Sequence, residues 1–290
     1  MPIKLSNASL EARISSLGAE LVELKDEAGR DLLSDGDPAF WTGRSPLLFP
    51  IVGKLPDDRY EIDGTPYELK QHGFARASLF EVVDATERSC RFRLSANEET
   101  LKLYPFPFKL DVGYSIDGAT LTIEATICNA GDKAMPASFG FHPALRWPLP
   151  YGSSREEHEI HFEHEEPAPL RTLSDGLIGI GERPSPVEGK RLRLHDDLFR
   201  DGALVFDRPA SRKVRYGVPG ERSITVTFPG LPHLGIWTKP GAGFVCIEPW
   251  QGYATPVDFE GGFAEKPGMV SIPPGETRSF AMQITVDPAR

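Results

Sequence analysis

Two residues of this chain have the chemistry to exchange protons with a ligand at neutral pH, and both stand in apolar segments. Glu248 lies in Cys246-Ile-Glu-Pro-Trp-Gln-Gly252, and His142 lies in Phe139-Gly-Phe-His-Pro-Ala-Leu145. A carboxylate accepts a proton and an imidazolium donates one, with ordinary pKa values of about 4.3 and 6.5. We therefore expect each residue to end an apolar strand and the pair to perform general acid and base catalysis, without a metal, nucleotide or thiol.

The elements that must position this pair are β-strands, because apolar residues alternate with a period of two from end to end. The clearest case is a hairpin of residues 110–116 and 121–127 joined at Asp117-Gly118, and a second surrounds Asp63-Gly64. Further strands are predicted at residues 79–83, 91–94, 204–206, 223–228, 234–237, 244–247 and 279–286. Helical periodicity is weak, so we predict an all-β fold of antiparallel sheets with few short helices, as a sandwich or barrel.

Nothing in the sequence divides the chain into parts, since no disordered linker, internal repeat or low-complexity tract is present. We therefore predict a single domain over residues 1–290, punctuated by 28 glycines and 27 prolines. Residues 148–188 are predicted to make a long surface excursion with one embedded strand near Ile160 and Phe162.

Composition excludes several classes of partner. The formal net charge of −10 opposes nucleic-acid binding, because that affinity comes from lysine and arginine displacing counterions. Cys90, Cys128 and Cys246 are widely spaced, which favours neither a disulfide framework nor a zinc site and is typical of a reducing compartment. No secretion signal and no apolar stretch of membrane-spanning length occur, so we expect a cytoplasmic protein, as a monomer or homodimer, with no membrane partner.

Several motifs occur in an order that resembles the aldose 1-epimerase (galactose mutarotase-like) family, especially its bacterial LacX-like branch. They are Trp41-Thr-Gly-Arg-Ser-Pro-Leu-Leu-Phe-Pro-Ile-Val-Gly-Lys54, Gln71-His-Gly-Phe-Ala-Arg76, the two segments around His142 and Glu248, Gly235-Ile-Trp-Thr-Lys-Pro240 and Pro273-Pro-Gly-Glu276. The resemblance implies a β-supersandwich and a cofactor-free enzyme that interconverts the α and β anomers of an aldohexose.

The resemblance also implies roles for individual residues. His142 is the implied general acid and Glu248 the implied general base, facing one pocket from different sides of the sugar ring. His72 and Arg76 are implied to lie beside the sugar, with Lys54 and Arg44 as weaker candidates. A further aspartate of the family falls on Asp196 or Asp197, and the sequence does not choose between them. Trp250, Trp237 and Phe141 are side chains that offer a flat apolar platform to a sugar.

Structural roles are the alternative for most of these residues. His142 and Glu248 would then only end strands, Arg76 would pair with an acidic neighbour, and the tryptophans would only pack in the core. His158, His161 and His164 suggest a metal site, but on a strand His161 faces away from the other two, and these are about 20 Å apart. We therefore interpret them as a solvated edge and predict no metal.

Two other functions remain open. The related hexose-6-phosphate mutarotases carry Arg-Gly-Gly-Ile-Pro where this chain has Arg44-Ser-Pro, which weakens a phosphate site built from two arginines and leaves Arg76. A phosphorylated hexose is thus an alternative substrate. A carbohydrate-binding protein without turnover is the second alternative, although a pure binder has no need of a matched acid and base.

Overall fold

The computed structural model describes residues 1–289, and within this range the protein has one α-helix, α1 (Glu98–Leu103). Asn97 caps α1, because its side chain accepts hydrogen bonds from the backbone N–H groups of Glu99 and Thr100. Short 3-10 helices occur at Pro56–Asp58, Ala75–Ala77, Arg155–Glu157, Asp196–Phe199 and Phe263–Glu265.

The strands within the same range are, in chain order, β1 (Ile3–Ser6), β2 (Leu10–Ile14), β3 (Leu21–Asp26), β4 (Leu47–Leu48), β5 (Arg59–Ile62), β6 (Thr65–Glu68), β7 (Glu81–Ala85), β8 (Ser89–Ser95), β9 (Phe108–Asp117), β10 (Thr120–Asn129), β11 (Met135–Ala137), β12 (Phe139–Phe141), β13 (Ala144–Arg146), β14 (Glu159–Phe162), β15 (Leu170–Ser174), β16 (Leu177–Arg183), β17 (Arg191–Arg193), β18 (Leu204–Phe206), β19 (Lys213–Gly217), β20 (Ser223–Thr227), β21 (His233–Trp237), β22 (Phe244–Gln251), β23 (Val270–Ile272) and β24 (Thr277–Asp287).

Two large antiparallel sheets dominate the described chain. The first has nine strands in the order β17-β14-β19-β20-β24-β10-β9-β8-β7. The second has eight strands in the order β16-β15-β18-β21-β22-β12-β4, with β13 also paired to β22. Smaller sheets are formed by β1-β2-β3, β11-β23 and β5-β6. The all-β prediction is therefore confirmed.

The core lies between the two large sheets. Phe139 of the eight-stranded sheet stacks on Phe280 of the nine-stranded sheet, with ring centroids 5.4 Å apart. Phe162 and Phe206 make a similar contact between the sheets at 5.5 Å. Alternate residues of β10 point into this core, which explains why the period-two pattern was so clear there. The face of the eight-stranded sheet that points away from the nine-stranded sheet is therefore not part of this core.

The predicted hairpins form, with one shift in register. In the first, Asp117 of β9 pairs with Thr120 of β10, so the loop is Gly118-Ala119 rather than Asp117-Gly118. Asp117 continues the alternation of its strand with an exposed side chain, which lets the ladder extend by one residue. In the second hairpin, Asp63 and Gly64 both have positive φ, as a tight two-residue turn requires.

The predicted excursion over residues 148–188 is more regular than expected. The strand near Ile160 is present as β14, but β15 and β16 also form and make one edge of the eight-stranded sheet. These two strands escaped prediction because the second half of β16 is exposed or only partly buried, so its sequence shows no sustained apolar alternation.

Candidate active site

The strand β22 runs through the eight-stranded sheet and is buried along its whole length. Val245 and Ile247 point into the core between the sheets. The alternate residues point to the opposite face, where Glu248 and Trp250 line a pocket. The sheet therefore has one face that stabilises the fold and one face that can bind a ligand.

Glu248 does not end its strand, contrary to the expectation from the sequence. The strand was predicted over residues 244–247, but it continues through Pro249 to Gln251. The backbone N–H of Ile247 donates to the carbonyl of Pro143, and residue 249 faces the same side two positions later. On that side the pairing of β22 with β12 ends at Gly140 opposite Trp250, so Pro249, which has no N–H to donate, lies just beyond the paired residues and next to the break between β12 and β13.

The same break brings His142 to Glu248. Both β12 and β13 pair with β22, through Gly140 opposite Trp250 and Ala144 opposite Cys246. The two ladders share one register, which places His142, between them, opposite Glu248. A hydrogen bond of 3.0 Å joins His142 Nε2 to Glu248 Oε2. The two groups therefore face one pocket side by side and in direct contact.

Burial controls the protonation of this pair. His142 is 6% exposed and Glu248 is 2% exposed. Desolvation raises the pKa of the Glu248 carboxyl well above its ordinary value, while the nearby Trp250 indole opposes the rise. Desolvation also lowers the pKa of His142 to about 3. Both directions favour a pair that is neutral as a whole, and such a pair carries one proton for its two groups.

Tryptophan side chains surround the pair. The Trp41 ring lies 4.8 Å from the His142 ring, and the Trp237 ring lies 6.0 Å from it, edge-on at 82°. Trp41 and Trp237 themselves meet at 5.5 Å in a T-shaped contact. These walls exclude water from the imidazole, which is why its desolvation is so large.

Trp250 forms a floor because two glycines make room for its indole. A Cβ at Gly235 would lie 2.3 Å from the Trp250 ring, and a Cβ at Gly140 would lie 2.7 Å from it. Real side chains do not approach so closely, so any other residue at either position would displace the ring. The Trp250 indole N–H makes no hydrogen bond of ordinary geometry among the described residues, although it lies near enough to the Glu248 carboxyl to oppose the rise in its pKa. Trp250 therefore packs against the sheet and also presents its surface to the pocket.

The pocket has a volume of about 330 Å³ and is lined by His142, Glu248, His72, Arg76, Trp237 and Trp250, among others. These six residues come from distant parts of the sequence, and the fold brings them together as the motifs suggested. The volume falls at the lower end of the range of about 300–1,000 Å³ that is usual for small-molecule sites.

His72 presents a hydrogen-bond donor to this pocket. Its backbone has a left-handed conformation with φ of 67°, and the Gly53 N–H donates to its Nδ1 at 3.1 Å. That bond leaves the proton of the neutral ring on Nε2. Desolvation lowers the pKa of His72 well below its ordinary value, with smaller effects from His142 and Arg76. The Gln71 side-chain amide lies 3.3 Å from this Nε2, so a ligand oxygen that accepts the imidazole N–H would replace that contact.

Arg76 supplies the guanidinium of the pocket. Its Nη2 donates to the backbone carbonyl of Gln71 at 2.9 Å, which anchors one end of the side chain. Burial lowers its pKa, but an arginine keeps its charge throughout the physiological range. The remaining N–H groups are free to bind a ligand.

Other predicted site residues lie elsewhere. Lys54 lies at the rim, where its Nζ donates to the Asp175 carbonyl at 3.2 Å. Arg44 is turned away, and its guanidinium donates to the carbonyls of Val22 and Asp35 at 2.8 Å. Neither Lys54 nor Arg44 lines the pocket.

The two aspartates and the phenylalanine are also placed outside the pocket. Asp196 pairs with Arg155 at 2.6 Å, and Asp197 pairs with Arg200 at 2.6 Å. Both aspartates belong to a 3-10 helix whose buried residue is Phe199, and neither lines the pocket. Phe141 points into the core between the sheets rather than toward a ligand. Its strand neighbours Gly140 and His142 occupy the pocket face instead, because side chains alternate along a strand.

The three histidines that are close in sequence differ in their surroundings. His158 is buried, with Nδ1 at 2.8 Å from the Ser154 carbonyl and Nε2 accepting from the Leu149 N–H at 3.0 Å. His161 lies on β14 with an exposed side chain, and His164 is also mainly exposed. The structure thus gives His158 a role in supporting the backbone.

A different set of potential metal ligands exists at the site itself. Ligand atoms of His142, Cys246 and Glu248 lie within 4.8 Å of one another. Ligands of one tetrahedral zinc at about 2.0–2.3 Å are separated by only about 3.3–3.8 Å. Burial raises the pKa of the Cys246 thiol well above its ordinary value, which disfavours the thiolate that a metal requires. The set is therefore better described as a proton-sharing pair beside a buried thiol.

Among the pocket-lining residues that sequence reasoning missed, three have aromatic or amide side chains, namely Trp41, Gln71 and Tyr253. Trp41 and Gln71 each open a motif that had been recognised, so their position in those motifs was the available signal. Tyr253 directly follows the glycine that closes the Glu248 motif. No periodic pattern pointed to them, because all three lie outside the strands.

The comparisons with known proteins agree with this architecture. The fold is that of galactose mutarotase-like proteins: a galactose mutarotase related enzyme from Lactobacillus acidophilus superimposes with a TM-score of 0.93, at 31% identity over 100% of this chain and 98% of its own. A galactose mutarotase-like protein from Lactobacillus casei superimposes with a TM-score of 0.91, at 29% identity over 99% and 100% of the two chains.

The sequence comparison then defines the family. Residues 1–285 match the aldose 1-epimerase family, and the chain belongs to that family. Among curated proteins it is similar to the chromosomally encoded Protein LacX of Lactococcus lactis subsp. lactis, with 31% identity over 99% of each chain. The resemblance recognised from the motifs is therefore confirmed. Among the described residues, no helix has the length and apolar character needed to cross a membrane.

Proposed function

We propose that this protein is a cofactor-free mutarotase that interconverts the α and β anomers of an aldohexose, with His142 and Glu248 as its acid and base. The observation that carries the proposal is the 3.0 Å contact between the two side chains at the bottom of a pocket walled by tryptophan. Membership of the aldose 1-epimerase family supports it. A structural role alone would not require two buried titratable groups to face a cavity.

The reaction needs one proton given and one proton taken. In ring opening, Glu248 accepts the proton of the anomeric hydroxyl while His142 delivers a proton to the ring oxygen, and the bond between C1 and the ring oxygen breaks. Rotation about the C1–C2 bond exposes the other face of the carbonyl. Reclosure reverses both transfers, so the pair returns to its starting state with no net change in protons or electrons.

Before a sugar binds, the proton of the pair lies on a different group from the one that the reaction requires. Because burial raises the pKa of Glu248 and lowers that of His142, the proton that the two groups share resides on the carboxyl before a sugar binds. In the proposal, the sugar enters between the groups and replaces their mutual hydrogen bond. The proton then passes toward His142, because the anomeric hydroxyl needs an ionised carboxylate as its acceptor.

The pocket favours a neutral sugar over a phosphorylated one. Arg76 is the arginine that lines it, whereas Arg44 is held by two backbone carbonyls. A phosphate site built from two arginines is therefore not assembled. Trp250 offers an apolar surface to the C–H face of a pyranose, and His72 and Arg76 offer donors to its hydroxyls.

The deciding experiment is NMR exchange between anomers at equilibrium, with and without the protein, on glucose, galactose and glucose 6-phosphate in one buffer. We expect acceleration above the spontaneous rate for a neutral hexose. Faster exchange of glucose 6-phosphate, lost on Arg76→Ala, would favour the phosphorylated substrate. Line broadening of a sugar without any added exchange would instead favour a carbohydrate-binding protein.

A further inference from the structure

Lys266 is a buried lysine that the proposed reaction does not use. Lys266 is 2% exposed, and among the described residues no carboxylate offsets the effect of burial on its ammonium. Its Nζ donates to the backbone carbonyls of Val52, at 3.4 Å, and Tyr253. A buried cation normally costs several kcal/mol unless a counter-charge compensates it. The ammonium has three protons, so one remains after these two bonds.

A second group without a hydrogen-bond partner follows shortly after Tyr253, whose carbonyl accepts from Lys266. The hydroxyl of Thr255, two residues after Tyr253, is buried and has no hydrogen-bond partner among the described residues. An orphaned buried hydroxyl costs about 1–3 kcal/mol. Thr255 and Lys266 therefore both hold unused hydrogen-bonding capacity in the same part of the fold.

Both residues line one cavity of about 380 Å³ that shares no lining residue with the sugar pocket. Its walls are partly aromatic, and the rings of Tyr60 and Phe263 lie 4.0 Å apart there. A cavity with a buried cation and a free hydroxyl fits a negatively charged ligand that has at least two acceptor atoms.

We propose that this second cavity binds a small oxyanion, a carboxylate or phosphate group, that accepts hydrogen bonds from the Lys266 ammonium and the Thr255 hydroxyl. Such a group supplies both the missing counter-charge and the missing acceptor. Arg59, Glu61 and Glu260 also line the cavity, and all three are exposed. They therefore lie where solvent screens them, whereas Lys266 is buried and its charge is screened much less.

Binding has a proton signature that a non-specific ion would lack. Desolvation lowers the pKa of Lys266 to about 7, with no opposing charge nearby. An anion at the ammonium raises that pKa again, so binding at pH 7.5 takes up a proton. Isothermal titration calorimetry with acetate, which is fully ionised at this pH, in two buffers of different ionisation enthalpy measures this uptake directly. Phosphate itself titrates near pH 7, so for phosphate the uptake is the difference between the unmodified protein and Lys266→Met.

The first test is thermal unfolding at constant ionic strength, with sodium phosphate or acetate replacing sodium chloride. We expect a saturable rise in Tm with at least one of the two anions, and the better one identifies phosphate or carboxylate as the preferred group. The rise should disappear in Lys266→Met, and the anion affinity should fall about tenfold in Thr255→Val, which keeps the shape of the side chain. Lys133→Met is the matched control, since Lys133 is exposed and pairs with Asp63.

Two results would overturn the proposal. One is the absence of a saturable rise with either anion in the unmodified protein. The other is a rise that survives in Lys266→Met, which would place the anion elsewhere; loss on Arg76→Ala would then identify the sugar pocket as its site. If Lys266→Met does not fold, Thr255→Val decides the matter, because unchanged anion affinity and proton uptake in that variant would contradict the role of the hydroxyl.

Discussion

The substitution Glu248→Gln is the sharpest test of the acid–base pair, because it removes one proton acceptor and changes little else. Glutamine has the shape of glutamate, and its amide can still form a hydrogen bond with His142 across the observed 3.0 Å. The amide cannot take the proton of an anomeric hydroxyl. Positioned acid–base groups contribute about 10²–10⁴ in rate, so the exchange rate should fall by that factor, or about 3–5 kcal/mol in the barrier.

Sugar affinity and stability should change much less. The pocket keeps its volume and its tryptophan walls, so we expect KM to stay within about threefold, the pattern of an interaction made only in the transition state. Desolvation penalises a charge on Glu248, so a neutral amide should fold at least as stably at neutral pH. Loss of turnover therefore cannot come from unfolding.

The assay is saturation transfer between the anomeric proton signals of the sugar, with the spontaneous rate subtracted. Glu124→Gln is the matched control, since Glu124 is exposed on β10 of the other large sheet. That variant should retain the unmodified rate. A Glu248→Gln protein that exchanges anomers at the unmodified rate would refute the assignment of the base, and a large rise in KM at constant kcat would refute the role in the transition state.

Three further predictions follow from the structure. The pH profile of kcat/KM, which reports the protein before sugar binds, should be a bell wider than the roughly two pH units between ordinary glutamate and histidine pKa values. Burial lowers the pH of its acid limb and raises the pH of its alkaline limb, and a narrow maximum between pH 4.5 and 6.5 would contradict this. Gly235→Ala should raise KM and destabilise the fold by about 1–3 kcal/mol, because its Cβ must displace the Trp250 ring. Gly243→Ala, with open space around its Cβ, should do neither, and equal KM and equal urea midpoints for the two variants would count against this packing. The unfolded chain keeps the Lys266 proton to about pH 10.5 and the folded protein releases it at about pH 7, so the free energy of unfolding should rise between these pH values by at most about 5 kcal/mol. Urea denaturation at pH 7 and 9.5 should show a smaller rise in Lys266→Met, and identical pH dependence in both proteins would refute this role of Lys266.

Many of the strands could be predicted from the alternation of apolar residues, and those that could not have physical reasons for their lack of such a pattern. The strand β10 was predictable because its alternate residues face a core on one side and solvent on the other. The strand β16 was not, because an edge strand with half its residues exposed has no apolar face to display. The continuation of β22 through Pro249 was also hidden, since proline has no N–H for the ladder and nothing in the local sequence shows that the pairing with β12 ends beside it.

By itself the sequence determined which residues have the chemistry for proton transfer and which motifs belong to one family, because residue type and order are local properties. It named His142, Glu248, His72, Arg76 and Trp250, all of which line one pocket. The sequence also indicated Asp196, Asp197 and Phe141, whose side chains suit sugar binding equally well, and only the tertiary structure shows that they do not line the pocket.

The distances and the protonation were decided by the tertiary structure alone. The contact of 3.0 Å between His142 and Glu248 depends on two strands sharing one register against β22, a relation between segments far apart in the chain. The direction of each pKa depends on how completely neighbouring strands and tryptophans exclude water. Lys266 shows the same limit, because nothing in its local sequence indicates that the fold buries its ammonium without a counter-charge.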